Sequence, residues 1–371
     1  MPRARGQALL VGAAALAIAS LFAGQMLAEA DWDATVFVAI GEDATEIRRY
    51  AESLLGEVAL RSQLGHDGRF FFVQANDPWL SDPSANAAIL DRPLYRSQRM
   101  LYPVLAGGFG LLGPEAIVWA MLLVNLAAMG FGSWAVAEIS TAMGGSPWLG
   151  MAFLLNVGIT SELTIGGAGV VAGAAAFGAV AMLLKGGIPW GVLLMTMASL
   201  SREVLLLGAA GAAFFMWREG RKGEAVWVGL VPAAAVMAWR AYASARIGSA
   251  AEGDRVLEIG PPFIGFARAF QAWLSDPLNL TVGCVIMVLM LLFAWRTLQR
   301  DVLVGWTFLG FVPLAIVLSE PVWRQVFNST RAVAPAITAY VVVAFADTKH
   351  HEATPRSRRR VAARDAGGRQ R

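Results

Sequence analysis

Ten apolar runs of spanning or near-spanning length cover most of the chain and restrict its possible folds more than any other feature. They lie at about residues 7–28, 100–113, 115–138, 147–160, 163–184, 187–217, 225–243, 280–295, 302–319 and 331–346. A helix needs about 20 apolar residues to cross a bilayer, and lipid offers no partner to unpaired backbone groups. The sequence therefore predicts an all-α fold, a polytopic transmembrane helical bundle of about ten spans.

Composition supports the membrane class and excludes several others. Hydrophobic residues make up 57% of the chain and charged residues only 15%, outside the range of soluble globular proteins. The single cysteine, Cys284, lies in an apolar run, so there is no disulfide framework. His66 is the only histidine before residue 350, which excludes a histidine-rich metal site. We find no nucleic-acid-binding module.

Two of the runs are weaker predictions of a span. The run at 100–113 is short and contains Gly107 and Gly108, and the run at 187–217 is long and contains Arg202 and Glu203. Either can be a broken or re-entrant helix. Ionisable groups at membrane depth are costly unless they are paired or face a water-filled cavity, so each of these two is expected to meet a partner elsewhere, such as a loop arginine for Glu203.

The distribution of charge predicts an orientation. Residues 349–371 hold seven arginines and one lysine, whereas residues 29–99 hold twelve acidic residues and seven arginines. Because Lys and Arg near spans stay on the cytoplasmic side, we expect a multi-pass plasma-membrane protein with both termini cytoplasmic and residues 29–99 facing the periplasm or exterior. We divide the chain into a transmembrane domain, 1–346, and a disordered basic tail, 347–371. A cleavable signal peptide at 7–28 is a less favoured alternative.

Residues 29–99 form a long, largely helical loop after the first run, and long loops commonly carry function. Asp67 lies between two glycines, which suits a general base that a substrate can approach; a plain turn aspartate is the alternative. Asp33 follows the first run in the sequence Asp31-Trp32-Asp33 and is a candidate ligand for a divalent cation, Mg²⁺ or Mn²⁺. A solvated surface pair is the favoured alternative for Asp31 and Asp33.

Arginines near the end of the loop are candidates for binding phosphate. Arg92, Arg96 and Arg99 share one face if the segment is helical, and the planar guanidinium binds phosphate in a bidentate manner. Arg202 and Arg331 are candidates for the same role from the later runs. Snorkelling anchors at the membrane boundary are the alternative. The candidate substrate-binding residues are His66, Arg69, Tyr95, Tyr102 and Glu203.

Two stretches of this loop carry a family resemblance. They are residues 65–78, beginning Gly65-His66-Asp67-Gly68-Arg69-Phe70-Phe71-Phe72, and residues 90–103, which include Asp91-Arg92-Pro93-Leu94-Tyr95-Arg96. Together they resemble bacterial GT-C-type membrane glycosyltransferases tied to cell-surface glycopolymer formation, and they are more distantly similar to GPI-type mannosyltransferases. His66 stands where an aromatic residue is more usual.

The resemblance implies a function. In such enzymes a first-loop acidic residue acts as base or metal ligand, a role that would fall to Asp67, and the donor is a polyprenyl-phosphate sugar. We expect transfer to a cell-envelope glycan or lipid-linked acceptor on the outer face, with inversion at the anomeric carbon. The alternatives are a transporter or flippase of a lipid-linked glycan, and a non-catalytic subunit of a surface-polymer complex.

Overall fold

The structure of the protein is a computed structural model that describes residues 2–248 and 259–346. Its regular structure is almost entirely helical, which confirms the predicted all-α class. The predicted tail, residues 347–371, lies outside the described residues. The α-helices are α1 (Pro2–Glu29), α2 (Thr45–Leu55), α3 (Gly68–Asn76), α4 (Pro83–Ile89), α5 (Pro93–Arg96), α6 (Leu101–Gly107), α7 (Pro114–Ala142), α8 (Met151–Leu154), α9 (Val157–Thr164), α10 (Gly169–Leu184), α11 (Ile188–Ser201), α12 (Leu206–Arg218), α13 (Lys222–Ile247), α14 (Ile264–Trp273), α15 (Pro277–Arg300), α16 (Leu303–Leu309), α17 (Phe311–Val317), α18 (Glu320–Arg324) and α19 (Val326–Phe345).

Short 3-10 helices and one small sheet complete the described structure. The 3-10 helices are Ala34–Phe37, Gly110–Leu112, Pro147–Gly150 and Glu203–Leu205. Strands β1 (Ile40–Gly41) and β2 (Leu60–Arg61) pair in parallel, with Ile40 opposite Leu60. The sequence analysis did not predict this sheet, because two-residue strands carry too little alternation to be recognised.

Within the part of the chain that the structure describes, five helices are long and apolar enough to cross a membrane. They are Gly6–Glu29, Pro114–Ala142, Lys222–Ile247, Pro277–Arg300 and Val326–Phe345. The other apolar helices of the described ranges are shorter and pack among these five. α10 is the most enclosed, since it is buried along almost its whole length between α7 and α11. Its small residues let Phe131 and Phe153 approach the backbone at Gly178 and Gly173, as is common for helices that pack closely in membranes.

The apolar run at 187–217 forms two helices. α11 ends at Ser201, Arg202 adopts an extended backbone (φ −148°, ψ 115°), and the chain turns through a 3-10 helix into α12. Met195 and Ala209 then lie in one buried cluster, although a continuous helix would separate them by about 21 Å. The two helices therefore run in opposite directions, and Arg202 lies at a chain reversal. The prediction of a single span for the run at 187–217 is therefore wrong.

The run at 100–113 is also not a span. It contains only α6 and the 3-10 helix Gly110–Leu112, which together cover residues 101–112. Twelve helical residues reach about 18 Å, less than the thickness of a bilayer core. α6 packs against α3 and α7 instead, so it belongs to the layer that residues 30–100 form on the bundle.

The bundle has two ends that differ in their contents. α10 begins beside Glu162 and is followed by Lys185, whose Nζ lies 2.6 Å from Glu138 Oε2. We call the end with Glu162 and residues 30–100 the Asp67 end, and the end with Lys185 the opposite end. The opposite end also holds the ion pair between Arg218 and Asp301, with 3.0 Å between Nη1 and Oδ1.

At the Asp67 end, α2 covers part of the loop. Its apolar face carries Ile47, which is buried in a cluster with Phe70, Val73 and Leu90. The helix stops at Gly56, where φ is +78°, a conformation that glycine adopts without strain. The apolar face of α2 therefore packs on α3 and on neighbouring residues of the loop.

Candidate functional site

Backbone contacts fix the position of Asp67. The His66 N–H donates to the Ala39 carbonyl at 2.9 Å, and the Gly68 N–H donates to the Ile165 carbonyl at 3.0 Å. A side chain at Gly68 would collide with the Ile165 carbonyl, and one at Gly65, where φ is +72°, would collide with the Ala39 carbonyl. The two glycines thus allow close backbone packing, which fixes the backbone on both sides of Asp67 against Ala39 and Ile165.

The Asp67 carboxylate is shared between two arginines. Arg331 Nη2 donates to Oδ2 at 2.6 Å, and Arg96 Nη1 donates to Oδ1 at 3.1 Å. The Asp67 side chain is 22% exposed. Burial alone would raise the pKa of this carboxyl, but the charges of Arg331, Arg96 and Arg99 outweigh burial and hold the pKa well below its ordinary value. In the ligand-free protein Asp67 is therefore an ionised but weak base.

Arg96 is held in place from two further sides. Its Nε and Nη2 donate to the two carboxylate oxygens of Asp91, both at 2.9 Å. Its guanidinium also lies 3.7 Å from the centre of the Phe70 ring, a cation–π contact. Since α5 is only four residues long, these contacts, and not a helix, determine the direction of the Arg96 side chain.

Arg331 connects Asp67 to a deeper carboxylate, Glu162. Arg331 Nε donates to Glu162 Oε1 at 2.8 Å, and Arg202 Nη1 donates to the same oxygen at 3.1 Å. The other oxygen, Oε2, accepts from the Gly169 N–H at 3.2 Å, at the first turn of α10, where the helix dipole favours negative charge. Glu162 therefore joins α9, α10, α19 and the turn after α11.

Glu162 was not among the candidate site residues predicted from the sequence. Its residue exposure is only 2%, and its carboxylate fits into space left by two glycines. A Cβ at Gly169 would lie 2.5 Å from Glu162 Cδ, and one at Gly167 would collide with Oε2. The available signal was an acidic residue followed within seven positions by three glycines. That pattern alone does not separate a carboxylate site from simple helix packing.

A second ion pair lies beside the first cluster. Arg99 Nε donates to Glu203 Oε2 at 3.3 Å, and Arg99 Nη2 donates to the Tyr95 hydroxyl at 2.7 Å. The predicted partnership of Glu203 with a loop arginine is confirmed. Arg92 lies with its guanidinium 4.2 Å from the centre of the Tyr95 ring. Tyr95 is therefore placed between Arg92 and Arg99.

The predicted helical face of Arg92, Arg96 and Arg99 is wrong. α5 begins after Arg92 and ends at Arg96, a turn follows at Ser97 and Gln98, and Arg99 lies outside any helix. Arg96 and Arg99 nevertheless both reach the cluster, because the turn redirects Arg99 toward Glu203. Arg92 remains at the edge, on Tyr95.

Tyr102 does not join the site. It is fully buried, its hydroxyl donates to the Met121 carbonyl at 2.9 Å, and it accepts from Asn125 Nδ2 at 3.0 Å. With both hydrogen-bonding functions used, Tyr102 holds α6 on α7. The structure therefore gives Tyr102 a packing role and does not bring it to the cluster, where it was predicted to bind substrate.

His66 and Arg69 border the cluster. The His66 ring lies 5.2 Å from that of Phe327 at the start of α19. Desolvation and the charge of Arg331 lower the pKa of His66 below its ordinary value, so the imidazole is neutral at neutral pH. Arg69 is 8% exposed, lies 4.5 Å from the Phe70 ring centre, and has no hydrogen-bond partner at Nε or Nη1.

The candidate cation site at Asp33 is not built. Both Asp33 oxygens are used by Thr35, as acceptors from its backbone N–H at 2.8 Å and its hydroxyl at 2.7 Å. Within residues 2–248 and 259–346, no group of three or more His, Cys, Asp or Glu side chains could hold a metal ion. Asp67 and Glu162 meet arginines, so these residues do not fit a Mg²⁺ or Mn²⁺ centre.

The last turns of α13 fasten the segment that carries Arg96. Trp239 Nε1 donates to the Ser97 carbonyl at 2.6 Å, the Tyr242 hydroxyl donates to the Trp79 carbonyl at 2.5 Å, and Arg246 Nη2 donates to the Leu80 carbonyl at 2.7 Å. These acceptors lie on both sides of residues 82–96. One helix therefore holds both ends of the segment above Asp67.

A small cavity lies beneath the cluster, lined by Glu162, Arg202, Arg331 and apolar residues of α10 and α17. Its volume for a water-sized molecule is about 10 Å³, which is room for about one water. A larger ligand must therefore approach from the exposed side of Asp67 or move side chains aside.

The chain matches no protein-family model, no curated protein and no solved structure. The local resemblance of the loop and the geometry of the charge cluster therefore remain as the guides to function.

Proposed function

We propose that the protein is a GT-C-type membrane glycosyltransferase that moves a sugar from a polyprenyl-phosphate donor to a cell-envelope glycan or lipid-linked acceptor. The observation that carries this proposal is the position of Asp67. It is a first-loop carboxylate, part-exposed, and in direct contact with arginines from the loop and from the last helix. A transferase of this type needs such a juxtaposition, because an acceptor hydroxyl must lose a proton where a phosphate departs.

The reaction in this proposal is a single inverting displacement. The acceptor oxygen forms a bond to the anomeric carbon and gives its proton to the Asp67 carboxylate. The bond from the anomeric carbon to the phosphate oxygen breaks, and its electron pair leaves with the phosphate. Arg96 and Arg331 stabilise that charge, because charge-assisted hydrogen bonds to phosphate are among the strongest in proteins. Arg99 and Arg202 add positive charge from behind, and Arg92, His66, Arg69 and Tyr95 border the sugar and its acceptor.

The membrane arrangement in this proposal has ten crossings, in positions that differ from the ten runs. They are α1, α7, α8 with α9, α10, α11, α12, α13, α15, α16 with α17, and α19. The run at 100–113 does not count as a crossing, whereas the run at 187–217 provides two crossings, so the total remains ten. Lys185, Arg218 and Arg300 lie at the opposite end, which supports a cytoplasmic position for that end. Asp67 and the loop would then face the periplasm or exterior.

A flippase for a lipid-linked glycan is the second candidate, because broken helices favour it. The helical path breaks between α8 and α9 at Asn156, where the backbone is extended (φ −74°, ψ 110°). Transporter sites are commonly built from such discontinuous helices. A flippase would move a lipid-linked glycan from one leaflet of a vesicle membrane to the other without cleaving the sugar-phosphate bond.

The test compares two Asp→Asn variants in a transfer assay with a panel of polyprenyl-phosphate sugars. Asp67→Asn removes the proposed base, and we expect transfer to fall about 10²- to 10⁴-fold. Asp301→Asn changes an aspartate that is also paired with an arginine, but at the opposite end, and we expect transfer to persist. Full activity of Asp67→Asn would remove Asp67 from the mechanism. No transfer by the unmodified protein from any donor in the panel would contradict the proposed function.

A further inference from the structure

The two arginines that hold Asp67 do not depend on Asp67 for their positions. Arg96 keeps two hydrogen bonds to Asp91 and its contact with Phe70, and Arg331 keeps its hydrogen bond to Glu162. If the Asp67 side chain rotated away, each guanidinium would stay in place and expose one N–H donor. The two exposed donors would be Arg96 Nη1 and Arg331 Nη2.

Those two donors converge on one small anion. They bind the two oxygens of a single carboxylate, at 3.1 Å and 2.6 Å. Two oxygens of a phosphate group have a similar spacing and charge, so they satisfy the same pair of donors with charge-assisted hydrogen bonds. Arg99 and Arg202 differ, because each is bound to another carboxylate, Arg99 to Glu203 and Arg202 to Glu162.

Exposure within the cluster shows which partner can leave. Along the contacts from Arg96 to Glu162, the exposed fraction of the side chain is 13% for Arg96, 22% for Asp67, 10% for Arg331 and 3% for Glu162. Asp91, the other partner of Arg96, is 47% exposed, but it does not contact Arg331. Glu162 would be an uncompensated charge in the protein interior if it lost its partners. Asp67 can instead turn toward solvent, where water replaces its hydrogen bonds.

We propose that Arg96 Nη1 and Arg331 Nη2 form an oxyanion site that the Asp67 carboxylate occupies in the ligand-free protein and that a phosphate group displaces. This inference rests on the proposed function for the identity of the phosphate, which is that of the lipid-linked donor. The exchange also activates the base. Once phosphate neutralises the two guanidiniums, the released Asp67 carboxylate regains its affinity for a proton and can accept one from the acceptor. Donor therefore binds before acceptor.

The proposal predicts that removing the negative charge of Asp67 strengthens phosphate binding. A ligand that must displace an internal competitor binds with an affinity reduced by the fraction of protein in the open state. We therefore expect Asp67→Asn to bind phosphate about tenfold more tightly than the unmodified chain. A purely structural salt bridge predicts no gain, since its loss would only loosen the arginines.

The experiment measures equilibrium binding of two probes to the full chain in lipid nanodiscs: inorganic phosphate and a short polyprenyl monophosphate. A gain with both probes supports a site that recognises the phosphate group itself, and a gain with the lipid probe alone supports recognition of a lipid headgroup. Asp301→Asn is the matched control and should leave both affinities unchanged. Equal or weaker binding of both probes by Asp67→Asn would overturn the proposal, as would the absence of saturable binding in both proteins.

A second variant decides the matter if Asp67→Asn fails to fold. Arg96→Gln removes one of the two donors and leaves Asp67 paired with Arg331, while its other partner, Asp91, is 47% exposed and can be hydrated. We expect Arg96→Gln to bind phosphate about tenfold more weakly, and unchanged binding would refute the site. These binding measurements need no sugar transfer. If Asp67→Asn binds phosphate more tightly but the unmodified chain transfers no sugar, the proposed function alone is contradicted. If the unmodified chain transfers sugar but Asp67→Asn gains no affinity for phosphate, this inference alone is contradicted.

Discussion

The same pair of groups, a guanidinium and a carboxylate, occurs at both ends of the bundle in different surroundings. At the opposite end, Arg218 and Asp301 make two hydrogen bonds of 3.0 Å and 3.1 Å while their side chains are 33% and 46% exposed. At the Asp67 end, Arg331 and Glu162 are 10% and 3% exposed. An exposed pair can lose one member at little cost because water replaces it. A buried pair cannot, because its remaining charge is left without a partner.

That contrast explains why the cluster is interlocked. Asp67, Glu162, Glu203 and their arginines come from five separate parts of the chain, and each arginine that contacts Asp67 also contacts a second carboxylate. Alternating charges therefore satisfy one another. Of the two carboxylates that Arg331 joins, Asp67 is 22% exposed and Glu162 only 3%, so Asp67 is the one that can leave without stranding a buried carboxylate. The comparison therefore separates a part of the cluster that holds helices together from a part that is available to a ligand.

The largest effect on stability is expected at Glu162. Glu162→Gln leaves Arg331 and Arg202 without their shared carboxylate, and we expect a loss of about 3 to 5 kcal/mol in the free energy of unfolding. Asp301→Asn removes the matching charge at the opposite end and should cost about 0 to 1 kcal/mol. Unfolding of the purified variants in detergent measures both values. Equal losses in the two variants would break the comparison.

The next effect is expected at Gly169. Gly169→Ala places a methyl group 2.5 Å from Glu162 Cδ, so the carboxylate must shift and take Arg331 with it. Overpacking of this kind costs about 1 to 3 kcal/mol. Gly24→Ala is the control, since a Cβ there meets no atom within 4 Å and should leave stability nearly unchanged. If the two variants unfold alike, the space around Glu162 is not as tight as described.

A smaller effect is expected where α13 fastens the loop segment. Trp239→Phe keeps most of the ring but loses the hydrogen bond to the Ser97 carbonyl, worth about 1 kcal/mol. We expect faster proteolysis of residues 79–97 and weaker phosphate binding, because Arg96 is carried by this segment. Trp227→Phe changes a tryptophan on the same helix that is 63% exposed and should alter neither property. Identical proteolysis patterns would mean that α13 does not hold the segment.

The sequence predicted the helical class and several members of the cluster for reasons that can be stated. Long apolar runs report membrane helices directly, and an ionisable residue inside such a run must have a partner, which is how Arg202 and Glu203 were identified. Asp67 was found from its position in the loop. These are local signals, and the pairing of Glu203 with Arg99 followed from the cost of leaving either charge alone.

What the sequence could not predict was set by contacts between distant parts of the chain. Hydropathy shows how apolar a segment is but not in which direction its chain runs. It therefore did not distinguish the chain reversal at Arg202 from a continuous span. It also gave α6 the appearance of a span, although α6 is a short helix that packs against α3 and α7. Glu162 was undervalued because its importance comes from Arg331, which is 169 residues away. Tyr102 was chosen for its position beside the arginines, where only burial reveals that its hydroxyl is already used.

The smallest effect is expected for the exposed pair itself, and it sharpens the contrast through its dependence on salt. Arg218→Gln should cost about 0 to 1 kcal/mol at low ionic strength, and most of that difference should vanish near 1 M salt, where the Debye length is only about 3 Å. The Glu162→Gln deficit should persist at the same salt, because ions do not enter the interior where Glu162 and Arg331 meet. Unfolding of both variants at low and high salt measures this directly. A Glu162→Gln deficit that salt removes would show that ions reach the cluster, and the distinction between the two ends would then be one of degree.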